Sequence, residues 1–193
     1  SQSSDWNKGA VVTGQIGWKE TVYLDGSYRR DWYRAFRQFK DRGTPEDYGY
    51  FGFGANAIVS NLVQLPEWFN YLKYRASYSE VGISIPGIVY AGATRNFETG
   101  ALVPSSWATF KNPRPEKTAS FETGIEALFL NNRLSFDLTY YNSTMSNLYL
   151  VGTNASGKSI PMNSAKIRNQ GIEATVGYDF KFGQLRWKTS YNL

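Results

Sequence analysis

The chain is 193 residues long, 41% hydrophobic and 17% aromatic, with a formal charge of +5 from 21 basic and 16 acidic side chains. It has neither cysteine nor histidine, which excludes a disulfide scaffold and thiolate metal sites and removes the commonest general base and metal ligand. Mean hydropathy is −0.44, and no run approaches the ~18–20 apolar residues of a membrane-spanning helix, so a helical membrane protein is excluded too.

Eight segments alternate apolar with polar residues, and a strand sends successive side chains to opposite faces. In residues 10–18, Ala10, Val12, Ile16 and Trp18 share one phase and Thr13 and Gln15 the other. Residues 22–31 set Val22, Leu24, Gly26 and Tyr28 against Asp25, Ser27, Arg29 and Asp31. In 50–59, Phe51, Phe53, Ala55, Ala57 and Val59 oppose glycines and Asn56, and in 71–79 Leu72, Tyr74, Ala76 and Tyr78 oppose Lys73, Arg75, Ser77 and Ser79. The fifth segment, 118–129, has Ala119, Phe121, Ile125, Ala127 and Phe129 against Ser120, Glu122 and Glu126. The sixth, 134–140, is the most regular: Leu134, Phe136, Leu138 and Tyr140 against Ser135, Asp137 and Thr139. Residues 171–180 place Ile172, Ala174, Val176, Tyr178 and Phe180 away from Glu173, Thr175 and Asp179. Last, 185–193 sets Leu185, Trp187, Tyr191 and Leu193 against Arg186, Lys188, Ser190 and Asn192.

The connections alternate in length. Lys19-Glu20, Asn131-Asn132 and Phe182-Gly183 read as tight hairpin turns, where Asn and Gly supply positive φ, and about eight residues around Pro66 join segments three and four. The stretches 32–49, 80–117 and 142–170 read as long loops. Aromatics gather near the short turns: Trp18, Tyr23, Trp68, Phe69, Tyr71, Phe129, Phe182 and Trp187. Short turns at one end, long loops at the other and aromatic girdles are the construction of an outer-membrane barrel, whose strands need roughly 9–11 residues to cross. The expected fold is all-β: an antiparallel up-and-down segment of a transmembrane barrel. A soluble β-sandwich, a carbohydrate-binding or adhesive module, is the alternative, since one buried face also alternates. Charges on nearly every inner phase argue against it. The basic stretch Arg29, Arg30, Arg34, Arg37, Lys40 and Arg42, interrupted by Asp31 and Asp41, reads as a solvated loop rather than a nucleic-acid or anionic-lipid patch.

The same residues resemble the SusC/RagA-like family, the TonB-dependent outer-membrane transporters of Bacteroidetes. The resemblance lies in an ordered set: Tyr23-Leu24-Asp25-Gly26-Ser27-Tyr28-Arg29-Arg30-Asp31; Phe51-Gly52-Phe53-Gly54-Ala55; Tyr71 through Gly82; Pro115-Glu116-Lys117-Thr118 with Glu122-Thr123-Gly124-Ile125-Glu126; Leu130 through Asn142; and Asn169-Gln170-Gly171-Ile172-Glu173. Two positions depart from the family pattern, Trp32-Tyr33-Arg34 and Gly82-Ile83, both at loop-facing strand ends.

The resemblance implies that residues 1–193 are the C-terminal part of a ~22-stranded barrel, a partial TonB-dependent receptor β-barrel domain without the plug domain and energy-coupling motif. It begins Ser-Gln-Ser-Ser and stops at Asn192-Leu193 in mid-strand, as an excised piece of a longer barrel would. It implies multi-pass residence in the outer membrane and TonB-dependent nutrient uptake of oligosaccharides or peptides. The implied partners are a SusD-like surface lipoprotein, the TonB complex through the missing N-terminal region, outer-membrane lipid and the substrate; no nucleic acid and no cofactor are expected. Lys73, Arg75, Glu122, Glu126, Asp137 and Glu173 would face the lumen and pair across strands, with Tyr74, Tyr78, Leu138 and Tyr140 towards lipid. Gly124 and Gly171 would relieve crowding. Trp107, Tyr90 and Tyr149 in the long loops are the candidate ligand-binding residues, as rings for stacking on sugars. An enzyme is not expected: Glu122 and Glu126 lie roughly 13 Å apart along one strand face, too far for a paired-acid mechanism.

Overall fold

The tight turns set the register of everything between them. Lys19 and Glu20 both adopt φ of +50°, the left-handed backbone that a two-residue hairpin of matching twist requires. Thr21 closes that turn by donating its amide to the Trp18 carbonyl at 3.0 Å and its hydroxyl to the Lys19 carbonyl at 2.8 Å. Leu130, Asn131 and Asn132 (φ +55° to +63°) and Gly183 (φ +59°) turn the other two.

The computed structural model describes residues 6–37, 39–40, 43–85, 93–95, 102–104, 108, 110 and 112–193. These turns join β1 (Asn7–Trp18), β2 (Val22–Tyr33), β3 (Asp47–Ile58), β4 (Phe69–Ile83), β7 (Glu116–Phe129), β8 (Leu134–Thr153), β9 (Ser159–Phe182) and β10 (Leu185–Asn192) into one antiparallel sheet. Its order, β1-β2-β3-β4-β7-β8-β9-β10, follows the chain throughout. A four-residue helix, α1 (Arg34–Arg37), follows β2, and β5 (Ala93–Arg95) and β6 (Leu102–Pro104) form a separate ribbon within the connection from β4 to β7. The eight strands expected from alternation are therefore the eight strands of the sheet.

Residues directly opposite on antiparallel strands share a face. One row reads Trp18, Val22, Ala57, Tyr74, Ile125, Leu138 and Ala174 across seven strands. The neighbouring row on the other face reads Tyr23, Asn56, Arg75, Gly124, Thr139 and Glu173. The sheet thus has one apolar face, on which Ile16, Phe53 and Ile172 are 74%, 60% and 68% exposed, and one polar face carrying all six charged residues expected there. Stacked rings finish the short-turn end: Phe69 lies 4.6 Å and Trp68 5.9 Å from Phe129 between ring centroids.

One expected loop is not a loop. Of residues 142–170, all but the turn at 154–158 continue β8 and β9, which reach 20 and 24 residues. Asn154 closes the turn by accepting from the Ser156 and Lys158 amides, with Gly157 at φ +74°. Alternation is broken there because the register shifts between Met145 and Tyr149, where Asn147 has φ +57°. An inserted residue flips the side-chain phase, so a period-two pattern ends although the strand does not.

Candidate functional site

Two regions of the polar face gather chemistry. At mid-sheet the Arg75 guanidinium on β4 reaches across β7 to Asp137 on β8 in a two-pronged ion pair of 2.9 and 2.8 Å, and donates to Thr139 Oγ1 at 2.6 Å. Lys73 stands opposite Glu126, and Glu126 opposite Asp137. Ser120 and Ser143 share a hydrogen bond of 2.9 Å nearer the long-loop end. Near the short turns Arg186 pairs with Asp179. Of the charged residues expected to pair across strands, Arg75 and Asp137 are joined directly.

The second region lies at the long-loop end. Arg29 donates to both Asp31 oxygens at 2.7 and 2.9 Å; the Tyr33 hydroxyl donates to Asp31 at 3.3 Å and lies 3.1 Å from the Tyr50 hydroxyl. Tyr50 lies over Gly82, where a Cβ would collide with its hydroxyl and ring. Gly82→Ala is therefore expected to expel Tyr50 and cost the parent barrel about 1–2 kcal/mol. Chemical denaturation measures it, and Tyr50→Leu in the same chain should recover part of the loss; no recovery would mean that Gly82 does not serve Tyr50.

Above this network the chain folds back and packs. Tyr33, Ala35, Phe36, Phe39, Ile85 and Phe110 form a buried cluster, with Phe36 wholly enclosed and Tyr48 and Tyr149 against its edge. Phe36 meets Tyr33 at 5.7 Å and Tyr48 at 5.4 Å, and Phe110 meets Phe39 at 6.2 Å and Tyr149 at 5.9 Å. The described residues of the 32–49 connection thus pack their apolar side chains into this cluster, while Arg37 and Lys40 stay exposed. Arg30 and Lys40 pair with Asp47 and Glu46. Burial raises the Tyr33 and Tyr149 hydroxyls above the ordinary phenol range and pushes Tyr48 up to about 12.

Tyr149 is the one sequence-expected ligand residue among those described. It stands on β8 past the register shift, its amide donating to Glu116 Oε1 at 2.8 Å and its ring at the cluster edge. Trp107 and Tyr90 lie outside the described residues. Sequence reasoning missed the cluster itself. Its signal was the aromatic spacing Tyr33, Phe36, Phe39 and Tyr48, masked by interleaved arginines.

Two cavities open beside the cluster. One, about 460 Å³, is lined by Thr44, Tyr48, Tyr50, Arg114, Lys117 and Asn147 among others; the second, about 710 Å³, shares Asn112, Arg114 and Asn147 with it and continues along Pro161 and Met162. The segment between them is fixed by Asn163. Its side chain accepts from the Arg114 amide at 2.8 Å and donates to the Arg114 and Asn147 carbonyls at 3.0 and 2.6 Å.

A meandering antiparallel sheet with one apolar and one charged face, short connections at one end and the long β2–β3 and β4–β7 connections at the other has the construction of a membrane-barrel wall. Residues 1–193 match the family model for the TonB dependent receptor-like β-barrel, and the chain belongs to that family. Among solved structures, the RagAB peptide importer in its open-open state superposes with a TM-score of 0.76 at 19% identity over 96% of this chain, and a RagAB peptide transporter structure gives 0.71 at 21% identity over 96%. The siderophore receptor PirA from Pseudomonas aeruginosa gives 0.57 at 17% over 97%. At these identities the likeness is one of fold. The chain spans 21–22% of the RagAB chains and 34% of PirA. No curated protein sequence matches it significantly.

Proposed function

We propose that this chain is part of the wall of a SusC/RagA-like outer-membrane transporter that takes up oligosaccharides or peptides, energised through TonB and served by a SusD-like surface lipoprotein. The reading rests chiefly on the register, which collects apolar side chains on one face of eight consecutive strands and charged ones on the other. In it the apolar face meets lipid, the polar face lines the lumen, and the long-loop end faces outward. The plug and the energy-coupling segment belong to other parts of the parent polypeptide. Tyr149 supplies a ring near the outer mouth where a substrate arrives, with Trp107 and Tyr90 of the β4–β7 connection as further candidates, and the RagAB peptide importer among its structural neighbours favours peptides over sugars as an analogy of fold.

Cell fractionation and growth test this reading. The parent polypeptide is expected in the outer membrane, and deleting it or TonB should abolish growth on one nutrient class, peptide or glycan, as sole source. A parent found in the soluble fraction, or growth unchanged on both classes, would overturn it.

A further inference from the structure

The strongest unexplained feature is the position of Arg114. It stands between Pro113 and Pro115, both buried, which fix φ on either side of it. Asn163 holds both its amide and its carbonyl, as a paired strand would. The backbone carrying this guanidinium is therefore rigid. Yet no carboxylate among the described residues pairs with the guanidinium, whereas Arg29, Arg30, Lys40, Arg75, Lys117 and Arg186 are all paired. Arg114 borders both cavities, and the lining of neither includes an Asp or Glu.

A second observation comes from the wall of the smaller cavity. The Tyr48 hydroxyl is enclosed and has no hydrogen-bond partner among the described residues. A buried hydroxyl left unpaired is unfavourable, and a ligand that brings an acceptor removes that penalty. Arg114 is close enough to act electrostatically on this phenol, in the sense that favours negative charge there. The cavity, at about 460 Å³, falls within the ~300–1,000 Å³ of small-ligand sites.

We infer that the cavity bounded by Tyr48, Asn147 and Arg114 is a carboxylate subsite: Arg114 pairs with a substrate carboxylate, and a small rotation of Tyr48 brings its hydroxyl to the same group. Arg is suited to this because its planar fork meets a carboxylate two-pronged. The acid is the C-terminal carboxylate of a peptide or the carboxylate of a uronic-acid residue; the chemistry recognised is the same. This assignment rests on the transporter reading, since it places the subsite on the lumenal side of the outer mouth.

The test uses the full-length parent protein purified in detergent. Its probes are tetraalanine with a free C-terminus, the same peptide as its amide, trigalacturonate and its methyl ester. At least one acid should bind about tenfold or more tightly than its neutral counterpart, and the pair that shows the preference identifies the source. Arg114→Gln should erase the preference, and Tyr48→Phe, which keeps the ring in the cluster, should weaken the acid several-fold without altering the neutral probe. An unchanged melting temperature checks that both variants are folded. Equal affinity for acid and neutral forms, no binding of any probe, or a preference that survives Arg114→Gln would overturn the subsite. Because binding is read without energised transport, acid binding through Arg114 in a protein that imports nothing would sink the transporter reading alone. Normal import with an unaltered acid preference in Arg114→Gln would sink the subsite alone.

Discussion

Replacing Leu138 by Arg is expected to lower the stability of the parent barrel in phospholipid vesicles by about 2–4 kcal/mol, the depth-dependent cost of a cation on the lipid face near the bilayer midplane. Leu138 sits in the apolar row between Ile125 and Ala174, with Phe136 and Tyr140 on the same face of β8 and residues of the polar face on either side in sequence. Its side chain therefore has apolar neighbours across both flanking strands. The matched control is Thr175→Arg, which stands opposite Asp137 on the polar face and should shift stability by no more than about 1 kcal/mol, the range of solvent-exposed ion pairs. Denaturant titration of the barrel refolded into vesicles measures both. Equal effects at the two positions would mean that the faces are assigned wrongly, and with them the membrane reading, since a one-residue change of phase exchanges every side chain between faces.

The faces and the strands were legible because a period of two is a local property: each hairpin with a tight turn transmits its register to the next strand without help from distant residues. Lys73, Arg75, Glu122, Glu126, Asp137 and Glu173 could be assigned to one face from sequence alone for this reason. What was not legible required either a break of phase or a contact across the fold. The shift near Asn147 hid the outer halves of β8 and β9. The aromatic cluster joins Phe36 and Phe39 to Ile85, Phe110 and Tyr149, residues up to 113 positions apart that only the folded meander brings together. In the sequence, Arg114 is one charge between two prolines. Its distinction is what surrounds it, a side-chain clamp from Asn163 and a cavity on each side. The candidate site is thus a product of long-range packing at the ends of the strands, whereas the wall that carries it is a product of pattern.

That wall also depends on one residue for a reason no pattern states. Arg75 and Asp137 stand on strands separated by β7, so the guanidinium must pass over β7 to make its two bonds. It passes over Gly124, which lies in its own row between Arg75 and Thr139. A Cβ at Gly124 would sit 2.7 Å from the Leu138 carbonyl oxygen, 3.1 Å from Thr139 Oγ1 and 3.2 Å from the guanidinium carbon of Arg75. The first of these is backbone, which cannot swing away, and the last is the arm of the ion pair. Gly124→Ala is accordingly expected to destabilise the barrel by about 1–3 kcal/mol, the range of an overpacked site. Part of that loss should come from displacing Arg75, and a double-mutant cycle with Arg75→Ala separates it. If Gly124 serves the crossing, the two substitutions together cost at least ~0.5 kcal/mol less than their sum, as residues sharing one interaction do. Strict additivity would leave the clash with the Leu138 carbonyl as the whole effect. The glycine would then be a requirement of the β7–β8 pairing and not of the ion pair that ties three strands together.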